Sequence, residues 1–307
     1  MKLKYILCIL VAGCSYGILS TFVKRAYSDG YSLSDVSGAQ AFSGAILLWF
    51  FFFLFYKKSI AEKQITPGEK YPVLKLLLAG AVSGLVNIFY YKSVSEIPAS
   101  VAIVLLMQFT WISIVLERIF FKTPIHRKQI FIIVLILIGT GLAAGLLKKP
   151  SSSHLSVSGI LYGLLGGLCY AIFLIANGRV GNRYTSVKKS AIMSLGMCVL
   201  IFALLPPAFL WKGTLHGSLL TWGILLGIFG TALPPLLFSI AIPKIGISLS
   251  SILSSMELPT AVLMSYFILK EDVDIVQVSG VVIILLSIVL ANVKKRQALI
   301  TPDQHPG

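Results

Sequence analysis

The sequence predicts an all-α integral membrane protein of ten transmembrane helices, arranged as two inverted repeats of five. Three observations predict it: a composition unfit for water, ten apolar runs of bilayer length, and two internal matches separated by five runs each. Hydrophobic residues make up 57% of the 307 and charged residues 12%, about half the share of a soluble domain, and mean hydropathy is +0.91. So few charges cannot clothe a water-facing surface, and lipid must be the solvent for most of the chain. A soluble enzyme, a secreted disulfide scaffold and a disordered tail protein are excluded. The net charge of +15, from 26 Lys and Arg against 11 Asp and Glu, would suggest nucleic acid in a soluble protein. Here the basic residues sit in short clusters between apolar runs, as a topology signal does, and nucleic acid is not an expected partner.

A helix needs about 20 apolar residues to cross the hydrocarbon. The runs, in order, are 5–23, 34–56, 73–91, 99–116, 129–147, 157–177, 190–210, 218–239, 246–269 and 275–293. The connections are too short to fold as domains. With the N-terminus inside, one side of the membrane receives Lys2, Lys4, Lys57, Lys58, Lys63, Lys70, Lys75, Arg118, Lys122, Arg127, Lys128, Arg179, Arg183, Lys188, Lys189, Lys244, Lys294, Lys295 and Arg296. The other receives only Lys24, Arg25, Lys92, Lys148, Lys149, Lys212 and Lys270. That bias places both termini in the cytoplasm of a bacterial inner (plasma) membrane, and an even span count requires the termini to share a side. The opening MKLKYILCILVAGC also resembles a lipoprotein signal with Cys14 as the lipidated residue. An exported soluble domain should then follow; nine more spans follow instead, so 5–23 is kept as a true span. Cys8, Cys14, Cys169 and Cys198 lie inside apolar runs without a CxxC pair, and read as small buried residues.

The first and sixth runs match at a separation of 154, pairing Gly13 with Gly167, Tyr16 with Tyr170, Ile18 with Ile172 and Arg25 with Arg179. The fourth and ninth match at 149, pairing Ile103 with Ile252, Met107 with Met256 and Ile119 with Ile268, with Gln108 facing Glu257. An odd number of helices per repeat inverts the second half relative to the first. Two such halves can exchange conformations around a midplane site, which is the plan of many secondary transporters. The repeats are placed at 1–150 and 151–296, with 297–307 a short cytoplasmic tail.

The ninth run reads SSMELPTAVLMSYFILKED, with Pro259 near its middle and Glu271 at its end, and the repeats open with AGCSYGILSTFVKR and GGLCYAIFLIANGR. These segments resemble the drug/metabolite transporter superfamily of the EamA type, whose fourth helix in each repeat carries such a Pro and acidic residue. The first-half counterpart, LLMQFTWISIVLERIF, departs from that pattern, with Thr110 in place of the Pro. The resemblance spans nearly the whole chain. It implies the ten-helix fold and transport, and leaves the substrate open.

Glu257 is the only acidic residue deep inside a run. An ionised group there is costly unless it faces a partner or a cavity, and such residues mark pathways for ions and substrates. A carboxyl that is charged in one state and neutral in another can exchange a proton for a substrate; the plainer reading is a neutral carboxyl held by Ser254 and Ser255 for packing. Gln108, its counterpart, is expected to face it across the repeat axis as a hydrogen-bonding group, or else to bond a neighbouring helix. Trp111, three residues on, offers either a stacking wall or lipid-facing packing. Asn87 and Tyr91 share a face of the third run, with Tyr90 beside them. Tyr16 and Tyr170 are repeat-related candidates for the cavity wall, and Gln40 in the second run is the weakest polar candidate. Pro234 and Pro235 are expected to interrupt the eighth run and Pro259 the ninth, as gate bends or static kinks. Gly13/Gly17, Gly80/Gly84, Gly141/Gly145, Gly163/Gly167 and Gly223/Gly227 form small faces for close helix contact. The basic loop GRVGNRYTSVKK at 178–189 reads as a topology determinant that also attracts anions.

No GxxxxGK[ST] loop, HExxH or Ser/His/Asp set lies in the runs, so neither ATP-driven pumping nor an intramembrane enzyme is expected. No cofactor or metal is called for. The reading is a secondary transporter of small polar or amphipathic metabolites, an exporter coupled to proton entry, for an amino acid, a cationic drug-like compound or a nucleobase. Uptake or uncoupled facilitation is the alternative within the class. A membrane scaffold or lipid-handling protein is the alternative outside it. The expected partners are a small-molecule substrate, protons and membrane lipid, with monomer and homodimer both open.

Overall fold

A computed structural model describes residues 2–54, 71–97, 99–143, 156–211, 217–270 and 273–292. Among them every regular element is helical: α1 Lys2–Ser28, α2 Leu33–Leu54, α3 Pro72–Glu96, α4 Ala99–Leu106, α5 Phe109–Phe121, α6 Arg127–Ala143, α7 Val157–Arg179, α8 Ser186–Leu204, α9 Ala208–Trp211, α10 Ser218–Leu226, α11 Leu233–Ile245, α12 Ile247–Ser254, α13 Glu257–Met264 and α14 Ile275–Asn292. Two π-helical stretches, Gly227–Ala232 and Ser265–Leu269, join α10 to α11 and extend α13. Eight helical stretches are long and apolar enough to cross a membrane. The fifth and tenth apolar runs form the shorter helices α6 and α14, which pack on each other.

The outward surface carries large apolar side chains, among them Phe50, Phe53, Phe120, Phe131, Val199, Phe267 and Val289. Exposure on that scale suits a lipid solvent and would aggregate in water. The inside is continuous: Ile9, Val23, Tyr91, Met107, Phe109, Tyr170, Phe173, Phe238 and Leu253 belong to one buried cluster. Elements far apart in sequence interleave around it. Helix α1 packs on α11, α12 and α13; α7 packs on α3, α4 and α5; α2 packs on α8 and α10; α3 packs on α8; α5 packs on α12.

Glycine sets the tightest crossing. A Cβ at Gly80 would collide with the Met193 carbonyl, and one at Gly196 with the Leu77 carbonyl, so α3 and α8 touch backbone to backbone there. In the fifth and tenth runs the close contact falls at Gly139 and Gly280, and Gly145 lies outside the described residues.

Two of the bends fall just ahead of prolines, where the ring displaces the carbonyl four residues back and its bond is lost. The eighth run is one helix from Ser218 to Ile245, and its π stretch, Gly227–Ala232, leads directly into Pro234 and Pro235 in the first turn of α11. Pro259 is the third residue of α13, and the ninth run breaks ahead of it, at Ser255–Met256. The fourth run, without a proline, also breaks, at Met107–Gln108. Both broken runs end on a lysine in the left-handed region, Lys122 at φ 54° and Lys270 at φ 58°. Breaks and caps are both separated by 148, one short of the sequence register. Glu271 lies outside the described residues.

Candidate functional site

The helices converge on a central cavity of about 60 Å³, with room for a few waters. Its walls include Tyr16 from α1, Gln40 from α2, Asn87, Tyr90 and Tyr91 from α3, Tyr170 from α7, Ser190 and Ser194 from α8, Thr231 from the π stretch, Pro235 from α11 and Glu257 from the start of α13. Among the described residues that line it there is no Lys, Arg or His. Of the expected site residues, the structure brings together Glu257, Asn87, Tyr91, Tyr16, Tyr170 and Pro235.

Gln108 and Trp111 stand outside this group. Gln108 Nε2 donates to Val104 O at 2.9 Å, and its Oε1 accepts from Trp111 Nε1 at 2.8 Å. The amide is thus satisfied within its own turn, and Trp111 is 38% exposed on the outer surface. Neither side chain lines the cavity. Pro234 and Pro259 also lie outside the cavity lining.

Gln40, the weakest expectation, organises one wall. Its Oε1 accepts from Asn87 Nδ2 at 3.0 Å and from the Tyr91 hydroxyl at 2.6 Å, while its Nε2 donates to Thr231 Oγ1 at 3.3 Å. An amide bonded on both faces joins α2, α3 and the π stretch at 2% exposure. Sequence reasoning missed this hub because its partners lie 47, 51 and 191 residues away. The π stretch is what turns Thr231 inward, and no local signal announces it.

The other wall is aromatic. Tyr16 and Tyr170 meet edge to face with ring centroids 5.6 Å apart, and Phe109 packs on Tyr170 at 4.2 Å. Between the walls sits the Glu257 carboxyl, 3% exposed, with Oε2 lacking a well-formed hydrogen bond to the protein. Tyr16, Tyr90 and Tyr170 share its electrostatic neighbourhood. The Tyr170 hydroxyl lies beside the carboxyl, within reach of a hydrogen bond to it, and neither it nor Tyr90 OH has a well-formed bond to another protein group. Asn87 Oδ1 is a further orphan acceptor. A buried polar atom without a partner costs about 1–3 kcal/mol. Here such atoms gather on one cavity: Glu257 Oε2, Tyr90 OH, Tyr170 OH and Asn87 Oδ1. Among the described residues no group of three or more His, Cys, Asp or Glu is placed to hold a metal ion.

Both ends of the bundle are tied. Arg25 Nη2 donates to Ile268 O at 2.7 Å, and Trp222 Nε1 to Asp29 Oδ2 at 2.8 Å. At the other end Arg179 pairs with Glu117 at 3.1 Å, and Ser248 Oγ donates to the same carboxylate at 2.9 Å.

The chain is similar to proteins of known kind. Threonine/homoserine exporters RhtA of Escherichia coli and Salmonella typhimurium are 27% identical over 206 and 207 residues, 66% and 67% of this chain. The aligned part is 66% of those relatives, just under two thirds of their length. An uncharacterized transporter of Archaeoglobus fulgidus is 31% identical over 134 residues, 43% of this chain and 47% of that protein. A crystal structure of a protein superposes with a TM-score of 0.70 at 14% identity, over 92% of this chain and 97% of that one, a likeness of fold. The sequence profile of the EamA-like transporter family matches twice, over residues 3–145 and 157–293. The chain therefore belongs to the EamA-like transporter family, within the drug/metabolite transporter superfamily, and is a multi-pass membrane protein.

Proposed function

We propose that the protein is a proton-coupled exporter of a small amine-bearing metabolite of the amino-acid class, working by alternating access. The observation that carries this reading is Glu257 Oε2, buried, without a well-formed hydrogen bond to the protein, on a cavity lined by no Lys, Arg or His among the described residues. A carboxylate in that place binds either a proton or the ammonium group of a substrate, and the two compete. A proton arriving from the outer face displaces the substrate to that same face; the protonated site then turns inward, and loss of the proton there frees the carboxylate for the next substrate. Substrate class and export direction draw on the relatives named as threonine/homoserine exporters.

The reading takes ten spans in two inverted five-helix repeats, residues 1–150 and 151–296, with 297–307 a tail and both termini cytoplasmic. Packing supports it, because for the most extensive contacts exchanging each span for the one five places away returns a packed pair. The first span on the eighth and ninth becomes the sixth on the third and fourth; the third on the seventh becomes the eighth on the second. Arg25 and Arg179, the repeat-related pair, each tie the end of a broken run. In alternating access one clasp parts to load the site and the other to empty it.

The test is internal pH in proteoliposomes under an imposed pH gradient, with threonine, homoserine, organic cations and nucleobases added in turn. Proton movement triggered by an amine-bearing compound and lost in Glu257→Gln is the expected result. Exchange of labelled compound that persists in the variant, with no proton movement in either, overturns proton coupling through Glu257.

A further inference from the structure

A second cavity, of about 320 Å³, opens at the lysine-rich end of the bundle. Its walls include Lys4 near the start of α1, Ser186 and Lys189 in the first turn of α8, Ser239 in α11 and Lys244 at the end of α11. Lys4 and Lys244 are exposed, whereas Lys189 is 1% exposed. The Lys189 ammonium donates to Asn177 O and, at 2.9 Å, to Asn182 Oδ1. Lysines in the first turn of a helix oppose the macrodipole, so two helix starts add to the positive potential of the side chains. Arg183 and Lys188 reinforce it, lying 4.9 and 4.5 Å from the Tyr184 ring centroid at the rim. Among the described residues lining the basin there is no carboxylate.

We propose that this basin is a second binding site, one that takes the oxyanion of a carboxylate or phosphate compound on Lys4, Lys189 and Lys244. Ammonium groups are point-charge ligands for such oxygens, and serine and tyrosine hydroxyls beside them complete the coordination. The basin also communicates with the central cavity. Ser190, on the cavity wall, shares a hydrogen bond with Ser239 at 3.2 Å, and Ser239 Oγ donates to Asn177 Oδ1 at 3.2 Å. Asn177 O in turn holds Lys189. A polar string therefore runs from the basin to the substrate cavity through an otherwise apolar core, which suits a solute on its way in. Only that last step rests on the transporter reading; oxyanion binding stands or falls by itself.

The experiment is calorimetric titration of the full chain in detergent with inorganic phosphate, acetate and dihexanoyl phosphatidylglycerol. It compares wild type with the double variant Lys4→Gln/Lys244→Gln and with Glu257→Gln. Phosphate affinity is expected to fall about tenfold in the double variant, as removing two charge-assisted contacts does. Both lysines are exposed, so thermal unfolding checks that the variant is folded. In the wild type, phosphate should also slow acylation of Lys244, a readout that needs no variant. Displacement of phosphate by acetate but not by the lipid assigns the site to a soluble solute; displacement by the lipid assigns the same oxyanion site to a headgroup. Unchanged affinity in the double variant overturns the proposal. So does loss in Glu257→Gln alone, which would move the ligand to the central cavity. Proton coupling retained in Glu257→Gln, with basin binding intact, would instead refute the reading of Glu257 and leave this site standing.

Discussion

The fourth and ninth runs are broken by the same backbone device and put it to opposite uses. Each interrupts its helix a few residues short of the middle, and each ends on a left-handed lysine. At the fourth-run break Gln108 bonds Val104 O and Trp111 within its own turn and faces outward. At the ninth, Glu257 begins α13, turns inward and leaves Oε2 unmatched on the cavity. An interruption in a membrane helix frees polar groups that must be satisfied somewhere. The polar side chain at one break is bonded within its own turn; the one at the other is left unmatched on the cavity, and the proposed function rests on that difference.

The largest effect expected from breaking this comparison is at Glu257. Glu257→Gln keeps the volume and removes the charge. Proton-coupled transport should fall about a hundredfold, equivalent to about 2.7 kcal/mol, while the protein remains folded by thermal melting. A smaller loss would mean that the ninth break is as inert as the fourth.

Next comes the support beneath that break. A Cβ at Gly17 would press on the Glu257 carbonyl, with Thr260 Cβ at 2.6 Å and Ala261 N at 3.1 Å. Backbone cannot swing aside as a side-chain tip can, so Gly17→Ala should destabilise the protein by about 1–3 kcal/mol. Gly13→Ala, whose nearest neighbour is Ser254 O at 3.1 Å, should cost less. Thermal unfolding of the two variants in one detergent ranks them; the reverse order would place the tight contact elsewhere.

Gln40→Leu probes the opposite wall. It leaves the Tyr91 hydroxyl and Asn87 Nδ2 without their acceptor, a loss of about 1 kcal/mol in a membrane interior where new partners are found. The expected sign is a modest drop in stability together with a raised substrate KM, because Asn87 and Tyr91 line the cavity. Lowered stability with KM unchanged would leave Gln40 a packing residue.

What sequence could reveal here follows from range. Among the described residues each of the ten apolar runs overlaps a helix, because run length and flanking charge are local properties. Glu257 stood out because a carboxyl inside an apolar run is anomalous wherever its helix packs. Gln40 did not, since a buried glutamine acquires meaning only from the residues it meets, and those lie on other helices. The eighth run loosens just ahead of Pro234 and the ninth breaks one turn ahead of Pro259, as a proline ring requires, yet the fourth run breaks without a proline. Where a helix breaks depends on which neighbour accepts the freed backbone groups, and that is a tertiary fact.

The smallest effect is the sharpest control. If the fourth-run break is inert, Gln108→Leu removes a side chain whose bonds are confined to Val104 and Trp111. It should change transport by less than about twofold and stability by no more than about 0.5 kcal/mol, as for a surface substitution. Trp111 loses an acceptor but sits 38% exposed at the outer face, where its indole N–H can turn toward other acceptors. A loss comparable to that of Glu257→Gln would mean that Gln108 reaches the substrate in another state of the cycle. The two breaks would then be equal partners that take turns, and the asymmetry between them would belong to one conformation alone.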